Sequence, residues 1–126
     1  MDDRLRKEAG RAAETAALAH LEHAGLQLVL RNFRCKGGEI DLVMLDGATL
    51  ALVEVRYRSS EQFGGAVASV TWRKQRRLAN AAEYLLLAHR ELRRYPARFD
   101  VVAISAAPPS GADSIRIDWI KSAFTL

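Results

Sequence analysis

The stretch that decides the fold runs from Gly38 to Arg56 and reads GEIDLVMLDGATLALVEVR. Two mainly apolar runs flank the pair Asp46-Gly47. An Asp-Gly pair in this position is a strong signal for a two-residue β-hairpin turn, because both residue types tolerate positive φ. The sequence therefore predicts an antiparallel strand pair that turns at Asp46-Gly47.

The predicted register brings acidic side chains together. Counting back from the turn places Asp41 opposite Leu52, with Glu54 as its diagonal neighbour about 7–8 Å away at Cα. Side chains alternate across a strand, so one face would carry Glu39, Asp41, Leu52, Glu54 and Arg56, and the other Ile40, Leu42, Met44, Ala51, Val53 and Val55. Burying ionised carboxylates is costly unless a cation or strong hydrogen bonds compensate, so the cluster predicts a metal site.

Two features leave this register open. A three-residue loop would shift the pairing by one position and send Asp41 and Glu54 to opposite faces. The predicted pairing also sets Glu39 directly opposite Glu54, where like charges repel unless a cation lies between them or the strand end frays. The alternative interpretation places Glu39 at a solvated rim.

Length and composition are those of one globular domain. The 126 residues are 49% hydrophobic and 27% charged, enough for one core and too few for two. Lys and Arg number 19 against 15 Asp and Glu, and the net charge of +4 is compatible with a polyanionic partner without requiring one. Cys35 is the only cysteine, which excludes an intramolecular disulfide and favours a reducing compartment. Lacking an apolar run of signal-peptide or membrane-span length, the chain is expected to be cytoplasmic, without membrane contact.

Hydrophobic periodicity predicts the order of helices and strands. In chain order, the predicted elements are a helix over about 4–24 ended by Gly25, strands over about 26–33, 39–45 and 48–57, a loop over 59–69, a helix over about 70–92, a strand over 99–105, a break at 108–111 and a strand from 115. This order predicts an α/β fold in which two long helices flank a mixed sheet of about five strands.

The first helix adds a further acid to the candidate site. Glu14 shares the inward stripe of this helix with Leu18 and Leu21, so it could reach the sheet from above. The alternative interpretation is a solvated glutamate at the edge of the stripe.

Basic residues crowd the first turns of the second helix, namely Arg73, Lys74, Arg76 and Arg77. Cations are mildly unfavourable near this positive end of the helix dipole, so a bound nucleic-acid phosphate would relieve the repulsion. The neighbouring Trp72 could stack on a base, and Gln75 could orient water or phosphate. The alternatives are a solvated basic face and a glutamine capped at the edge of the core.

The hairpin resembles the motif of the PD-(D/E)xK phosphodiesterases, in which one acid and a later acid-x-Lys assemble a divalent-metal site. Asp41 matches the first acid, Glu54 matches the second, and Arg56 stands where the motif has lysine. The resemblance implies a DNA endonuclease whose Mg²⁺ or Mn²⁺ is held by Asp41, Glu54 and the Val55 carbonyl.

A second resemblance covers nearly the whole chain. The segments GEIDL at 38–42, VEVR at 53–56, FGGA at 63–66, the Lys74-bearing helix and RFDVV at 98–102 resemble the YraN-type family of uncharacterised bacterial proteins. This family is predicted to have the restriction-endonuclease-like fold, which implies one domain over residues 1–126 with a three-layer core. The same fold includes archaeal Holliday-junction resolvases, whose extra glutamate on the first helix is matched by Glu14. That likeness implies DNA as the substrate, branched DNA included, and allows a homodimer because junctions are two-fold symmetric.

Arg56 is the departure from the motif that matters for catalysis. A guanidinium stays charged at any accessible pH, so it can clamp a phosphate but cannot act as a base. Three alternatives follow: the metal alone activates the water, Lys74 enters the site, or the protein is a catalytically weak or inactive nucleic-acid-binding module of the same fold. Structurally, Arg56 could also form a salt bridge to Glu54 or Glu39.

Overall fold

The computed structural model describes residues 3–58, 69–106 and 115–125, and its elements follow the predicted order. The elements are helix α1 (Asp3–His23), strands β1 (Gln27–Cys35), β2 (Gly38–Asp46) and β3 (Thr49–Arg58), helix α2 (Trp72–Ala88), a 3₁₀ helix (Arg90–Arg94) and strands β4 (Ala97–Ala106) and β5 (Ile115–Phe124). The predicted break at 108–111, the FGGA segment and most of the predicted loop over 59–69 lie outside the described residues.

The strands form one five-stranded sheet in the order β1-β2-β3-β4-β5. Neighbouring strands are antiparallel except β3 and β4, which are parallel. A parallel pair needs a long crossover connection, and α2 lies within the connection between β3 and β4. The predicted α/β fold with a mixed sheet is confirmed.

Apolar side chains cover both faces of the sheet and form the three layers. On one face, α1 contributes Ala13, Ala17 and Leu21, which pack on a cluster that includes Leu42, Met44, Ala51 and Val53. On the other face, α2 contributes Leu78, Ala81 and Leu85, which pack on a cluster that includes Ile40, Val43, Leu50 and Leu52. Because both faces are buried, the strands carry nearly continuous apolar runs.

Local signals determine where the helices end. Gly25 has φ +101°, and the amides of Gly25 and Leu26 donate to the carbonyls of Glu22 and Leu21, which is the Schellman arrangement. The predicted stop of α1 is therefore confirmed. The second helix ends at Ala88, earlier than predicted, because His89 leaves helical geometry with φ −128° and ψ 77°.

The turn of the β2–β3 hairpin differs from the prediction by one residue. Asp46 pairs with Thr49, so the two turn residues are Gly47 and Ala48. Gly47 has φ +60°, whereas Ala48 is not among the residues with positive φ. A type II′ turn needs positive φ only at its first central position, and Gly satisfies it there. The predicted pairing was therefore wrong by two positions along β3, although its parity was right.

The alternation of side chains in β2 breaks at Asp41. Ile40 packs on the α2 side and Leu42 on the α1 side, so the prediction that they share a face was wrong. On the neighbouring strand, Asn32 has φ +53°, and the β1–β2 ladder passes from Phe33–Ile40 to Arg31–Leu42 with no Asn32–Asp41 pair. The backbone of β1 is thus irregular at the residue that would face Asp41, and the side chains of β2 change faces at the same level.

A buried polar network holds the other end of the hairpin. Asp100 is 0% exposed and accepts hydrogen bonds from Arg98 Nε (2.9 Å), Trp119 Nε1 (3.0 Å) and the Ser122 amide (3.0 Å). The same Arg98 donates through Nη2 to Asp46 at 2.8 Å, a bond that holds the pKa of Asp46 below its usual range. The network joins the turn to β4 and β5.

Candidate metal and nucleic-acid site

Asp41 and Glu54 converge where β2 and β3 separate. The antiparallel ladder between these strands stops at Leu42–Val53, and one further step would set the two acids opposite each other. Instead, Asp41 Oδ2 accepts a hydrogen bond from the Val55 amide at 2.8 Å. The Asp41 side chain therefore takes the place of a strand carbonyl and lies against β3 beside Glu54.

The pKa of Asp41 is strongly perturbed. The pKa of Asp41 is raised to about 8, mainly because burial penalises its charged form, and further because its carboxyl group is hydrogen-bonded to that of Glu54 and feels the charge of Glu54. The Val55 amide and the Arg56 charge oppose this rise. Two carboxyl groups held side by side in this way retain a proton near neutral pH unless a cation replaces it.

The carboxylate pair is reached from both sides of the sheet. Asp41 lines a cleft of about 490 Å³ on the α1 side, and Glu54 lines a smaller groove of about 80 Å³ on the α2 side together with Glu39, Lys74 and Arg77. The predicted convergence of the two acids is thus present, whereas the prediction that all the acids share one sheet face was wrong. The irregularity at Asn32 and Asp41 is the physical reason.

Glu39 lies at the rim of the α2-side groove. Its Cα pairs with Arg34 across the β1–β2 ladder, and its carboxylate lies 3.5 Å from Arg34 Nε, with half of the side chain exposed. The corrected register removes the repulsive Glu39–Glu54 pairing. The position agrees with the solvated-rim interpretation.

Glu14 reaches the sheet from α1, and only 13% of its side chain is exposed. Burial raises the pKa of Glu14, the charge of Asp41 adds to the rise, and Arg31 and Asn32 oppose it. Its Oε1 lies 3.4 Å from Arg31 Nη2. The structure therefore brings Glu14 into electrostatic contact with the pair and gives it a structural partner as well.

Arg56 follows Glu54 on β3 but bonds elsewhere. Its Nε donates to Ser69 Oγ at 3.1 Å, and within the described residues it forms no ion pair with Glu54 or Glu39. The structural alternative of a salt bridge to either acid is therefore not what the structure shows. The guanidinium charge still acts on Asp41 by lowering its pKa.

The predicted phosphate-contacting residues occupy the start of α2, which Thr71 caps by accepting the Lys74 amide at 3.3 Å. Only Lys74 and Arg77 line the groove beside Glu54, while Arg73 and Arg76 are exposed outside it. The Gln75 side chain donates to the Val70 carbonyl at 3.0 Å, as in the capped alternative. Trp72 is 66% exposed, and the Arg76 guanidinium lies over its ring at 5.6 Å.

Several residues of the α1-side cleft were missed by the sequence prediction. They are Lys7, Arg11, Asn32, Arg34 and Tyr57. A helical signal was present for Lys7 and Arg11, since positions 7, 11 and 14 recur at the spacing of one helix face. No comparable signal existed for Asn32, because its place beside Asp41 depends on an irregular strand.

The donor set suits a hard divalent cation, since Asp41 and Glu54 offer carboxylate oxygens and Val55 lies beside them in the cleft. Among residues 3–58, 69–106 and 115–125, no group of three His, Cys, Asp or Glu side chains gathers closely enough to hold a metal ion. A metal here would therefore take two side chains, backbone oxygen and water, which is the usual pattern for Mg²⁺. In the same part of the chain, no helix is long and apolar enough to span a membrane.

Comparison with known proteins gives one family. The sequence profile described as uncharacterised protein family UPF0102 matches residues 13–104. A UPF0102 protein of Pseudomonas putida is 52% identical over 92% of this chain and 91% of its own length. A UPF0102 protein of Stutzerimonas stutzeri is 50% identical over 94% of this chain and 95% of its own length. One of Xanthomonas euvesicatoria is 51% identical over 94% of this chain and 93% of its own length.

Proposed function

The chain belongs to the UPF0102 family, and from the geometry of its carboxylate pair we propose that it is a divalent-metal-dependent DNA endonuclease. The observation that carries the proposal is the convergence of Asp41 and Glu54, whose partly buried carboxyl groups interact between a cleft on the α1 side and a groove on the α2 side, both lined by acidic and basic side chains. Burying two neighbouring acids is costly, and a divalent cation offsets that cost. The resemblance to the PD-(D/E)xK motif supports the same assignment.

Each residue of the site has a role that follows from its position. Asp41, Glu54 and the Val55 carbonyl would hold Mg²⁺ or Mn²⁺, which supplies charge neutralisation at the phosphate and polarisation of water when bound. The Val55 amide orients Asp41 by its hydrogen bond. Arg56 contributes a fixed positive charge for the scissile phosphate. Glu14 sets the electrostatic potential on the α1 side of the pair.

Lys74 is the candidate proton acceptor, since Arg56 cannot serve as one. Lys74 lines the groove that Glu54 also lines, so it stands on the side of the pair where the motif lysine would act. A neutral lysine amine can accept a proton from water, and general-base catalysis contributes about 10²–10⁴-fold in rate. Lys74 thereby takes up the chemical role that the replacement of lysine by Arg56 leaves open.

The test is hydrolysis of linear and branched DNA by purified protein in Mg²⁺ or Mn²⁺. Loss of even an outer-shell partner of a metal site costs about 10–100-fold, so Asp41→Asn and Glu54→Gln should each reduce cleavage by more than about 100-fold. Glu83→Gln removes an exposed carboxylate of α2 and serves as the matched control. Cleavage that persists in Asp41→Asn would contradict the proposal.

Variants at Lys74 and Arg56 separate the roles of the two cations. Lys74→Arg keeps the charge but cannot accept a proton, so cleavage should fall by about 10²–10⁴-fold if Lys74 is the base. Arg56→Lys keeps the charge and restores the motif, and activity should be retained or rise. Full activity in Lys74→Arg would leave the metal alone as the activator of water.

A second candidate is a nucleic-acid-binding module without turnover. Arg56 in the motif's lysine position favours it, because a guanidinium cannot accept a proton from water. This candidate predicts DNA affinity that falls steeply with salt, together with no heat of Mn²⁺ binding in calorimetry. Mn²⁺ binding that disappears in Glu54→Gln would decide for the nuclease.

The proposal includes DNA as the polyanionic partner, a cytoplasmic location and a homodimer when the substrate is a two-fold symmetric junction. A symmetric junction presents two equivalent strands, so two copies of the site are needed to cut both. Light scattering of the protein alone and with a four-way junction measures this stoichiometry. Two chains per junction is the expected result, and one chain per junction would contradict the dimer.

A further inference from the structure

We propose that the α1-side cleft binds an unpaired nucleotide of the DNA strand that is cut at the carboxylate pair. The inference rests on the proposed nuclease function and names the kind of DNA that the site takes. Asp41 belongs to the pair and also lines this cleft, so a nucleotide held there is next to the scissile phosphate. The substrates are then flaps, forks and single strands rather than intact linear duplex.

The size of the cleft suits one small ligand. Its volume of about 490 Å³ falls within the range of about 300–1,000 Å³ typical of small-molecule sites. The groove on the α2 side is smaller, at about 80 Å³, and four of its five lining residues are charged, namely Glu39, Glu54, Lys74 and Arg77. The larger α1-side cleft therefore suits a base better, and the charged groove suits the backbone.

The lining of the cleft has the chemistry of a nucleotide site. Gly10, Ala13 and Val55 give it a small apolar floor, and Tyr57 stands beside them with 46% of its surface exposed. Side chains on β3 alternate, so Val55 and Tyr57 point to the same face. An exposed ring beside an apolar floor offers a stacking surface to a base.

Three cations line the same cleft, which also contains the acids Glu14 and Asp41. Lys7 and Arg11 line the cleft from α1 and Arg34 lines it from β1, and all three are exposed. Arg34 also lies 3.5 Å from Glu39 at the rim of the α2-side groove. The cations thus continue from one side of the sheet to the other across the end that holds the pair, as a backbone of phosphates requires.

Unpaired DNA is favoured because the base itself has to enter the cleft. A base in duplex DNA is stacked and paired, so placing it in the cleft requires extrusion from the helix at a cost of a few kcal/mol. A base in a flap or single strand is already free, and that cost is absent. We therefore expect unpaired DNA to bind at least about tenfold more tightly than blunt duplex.

The test measures binding without turnover. Labelled single-stranded, flapped and blunt duplex DNA are titrated with the full chain in EDTA, and anisotropy gives the dissociation constants. Tyr57→Ala should weaken binding of the unpaired forms by about 5- to 150-fold and change duplex binding by less than about twofold. Tyr57→Phe keeps the ring and should bind as the wild type does.

Tyr84→Ala is the matched control, because Tyr84 is 49% exposed and lies on α2 outside the cleft. Equal affinity for unpaired and duplex DNA, an equal loss for all forms in Tyr57→Ala, or tighter binding of the matching RNA strand would each overturn the inference. If Tyr57-dependent binding appears but no DNA is cleaved in Mg²⁺ or Mn²⁺, the nuclease proposal fails and the cleft stands. If DNA is cleaved but Tyr57→Ala alters no affinity, the inference about the cleft fails and the nuclease proposal stands.

Discussion

The raised pKa of Asp41 should make the metal-free protein less stable as pH rises. Asp41 has a pKa of about 8 in the folded chain, against 3.8 for an aspartate in water. Between these values the folded state holds about one proton more than the unfolded state, so unfolding releases it. The stabilisation is complete below about pH 4 and is lost as pH rises through about 8.

The magnitude follows from linkage. One proton corresponds to a slope of about 1.4 kcal/mol per pH unit, so the free energy of unfolding should fall by up to about 3 kcal/mol between pH 5 and pH 7. In Asp41→Asn the neutral amide replaces the titrating carboxyl group and removes this contribution. Between pH 5 and pH 7, the free energy of unfolding of the variant should therefore rise relative to that of the wild type by about the same amount.

Urea denaturation in EDTA at several pH values measures how the free energy of unfolding changes with pH in the wild type and in Asp41→Asn. Glu83→Gln serves as the control, because an exposed carboxylate of α2 does not contribute to the pair and should leave the wild-type slope intact. If the free energy of unfolding depends on pH in the same way in wild type and in Asp41→Asn, then Asp41 does not hold a proton near neutral pH in the folded protein, and this prediction is wrong.

Two further predictions concern the frame that holds the site. A Cβ at Gly38 would clash with the Arg77 carbonyl oxygen, so Gly38→Ala should push α2 off the sheet and cost about 1–3 kcal/mol or more. Gly10 has open space around it, so Gly10→Ala should stabilise the protein by about 0.5–1 kcal/mol. Urea midpoints that rank the two variants the other way would contradict this. Asp100→Ala leaves the partly buried Arg98 without its main partner and should cost about 3–5 kcal/mol, and a loss below about 1 kcal/mol in the same assay would show that the network is dispensable.

The hairpin and its two acids were predictable because both depend on local signals. Alternating apolar runs and a Gly-containing turn determine a strand pair, and the parity of a two-residue loop survives the correction of its position from Asp46-Gly47 to Gly47-Ala48. The predicted position was wrong because Asp46 was assigned to the turn. In the fold, Asp46 is instead a strand residue bonded to Arg98, a contact 52 positions away along the chain.

The face of Asp41 could not be predicted in the same way. Strict alternation would have placed it with Glu39 and Glu54, but the positive φ of Asn32 breaks the pattern on the strand beside it. Nothing in the order of residues 38–46 signals that break. The site therefore opens to both sides of the sheet, and the α1-side cleft with Tyr57 became visible only in three dimensions.

The most direct test of the central claim is the position of Mn²⁺ in soaked crystals of the wild-type protein. We expect an anomalous difference peak within coordination distance of the carboxylate oxygens of Asp41 and Glu54, which disappears in Glu54→Gln. Anomalous signal confined to other parts of the surface, or ordered density with no peak between these two side chains, would contradict it.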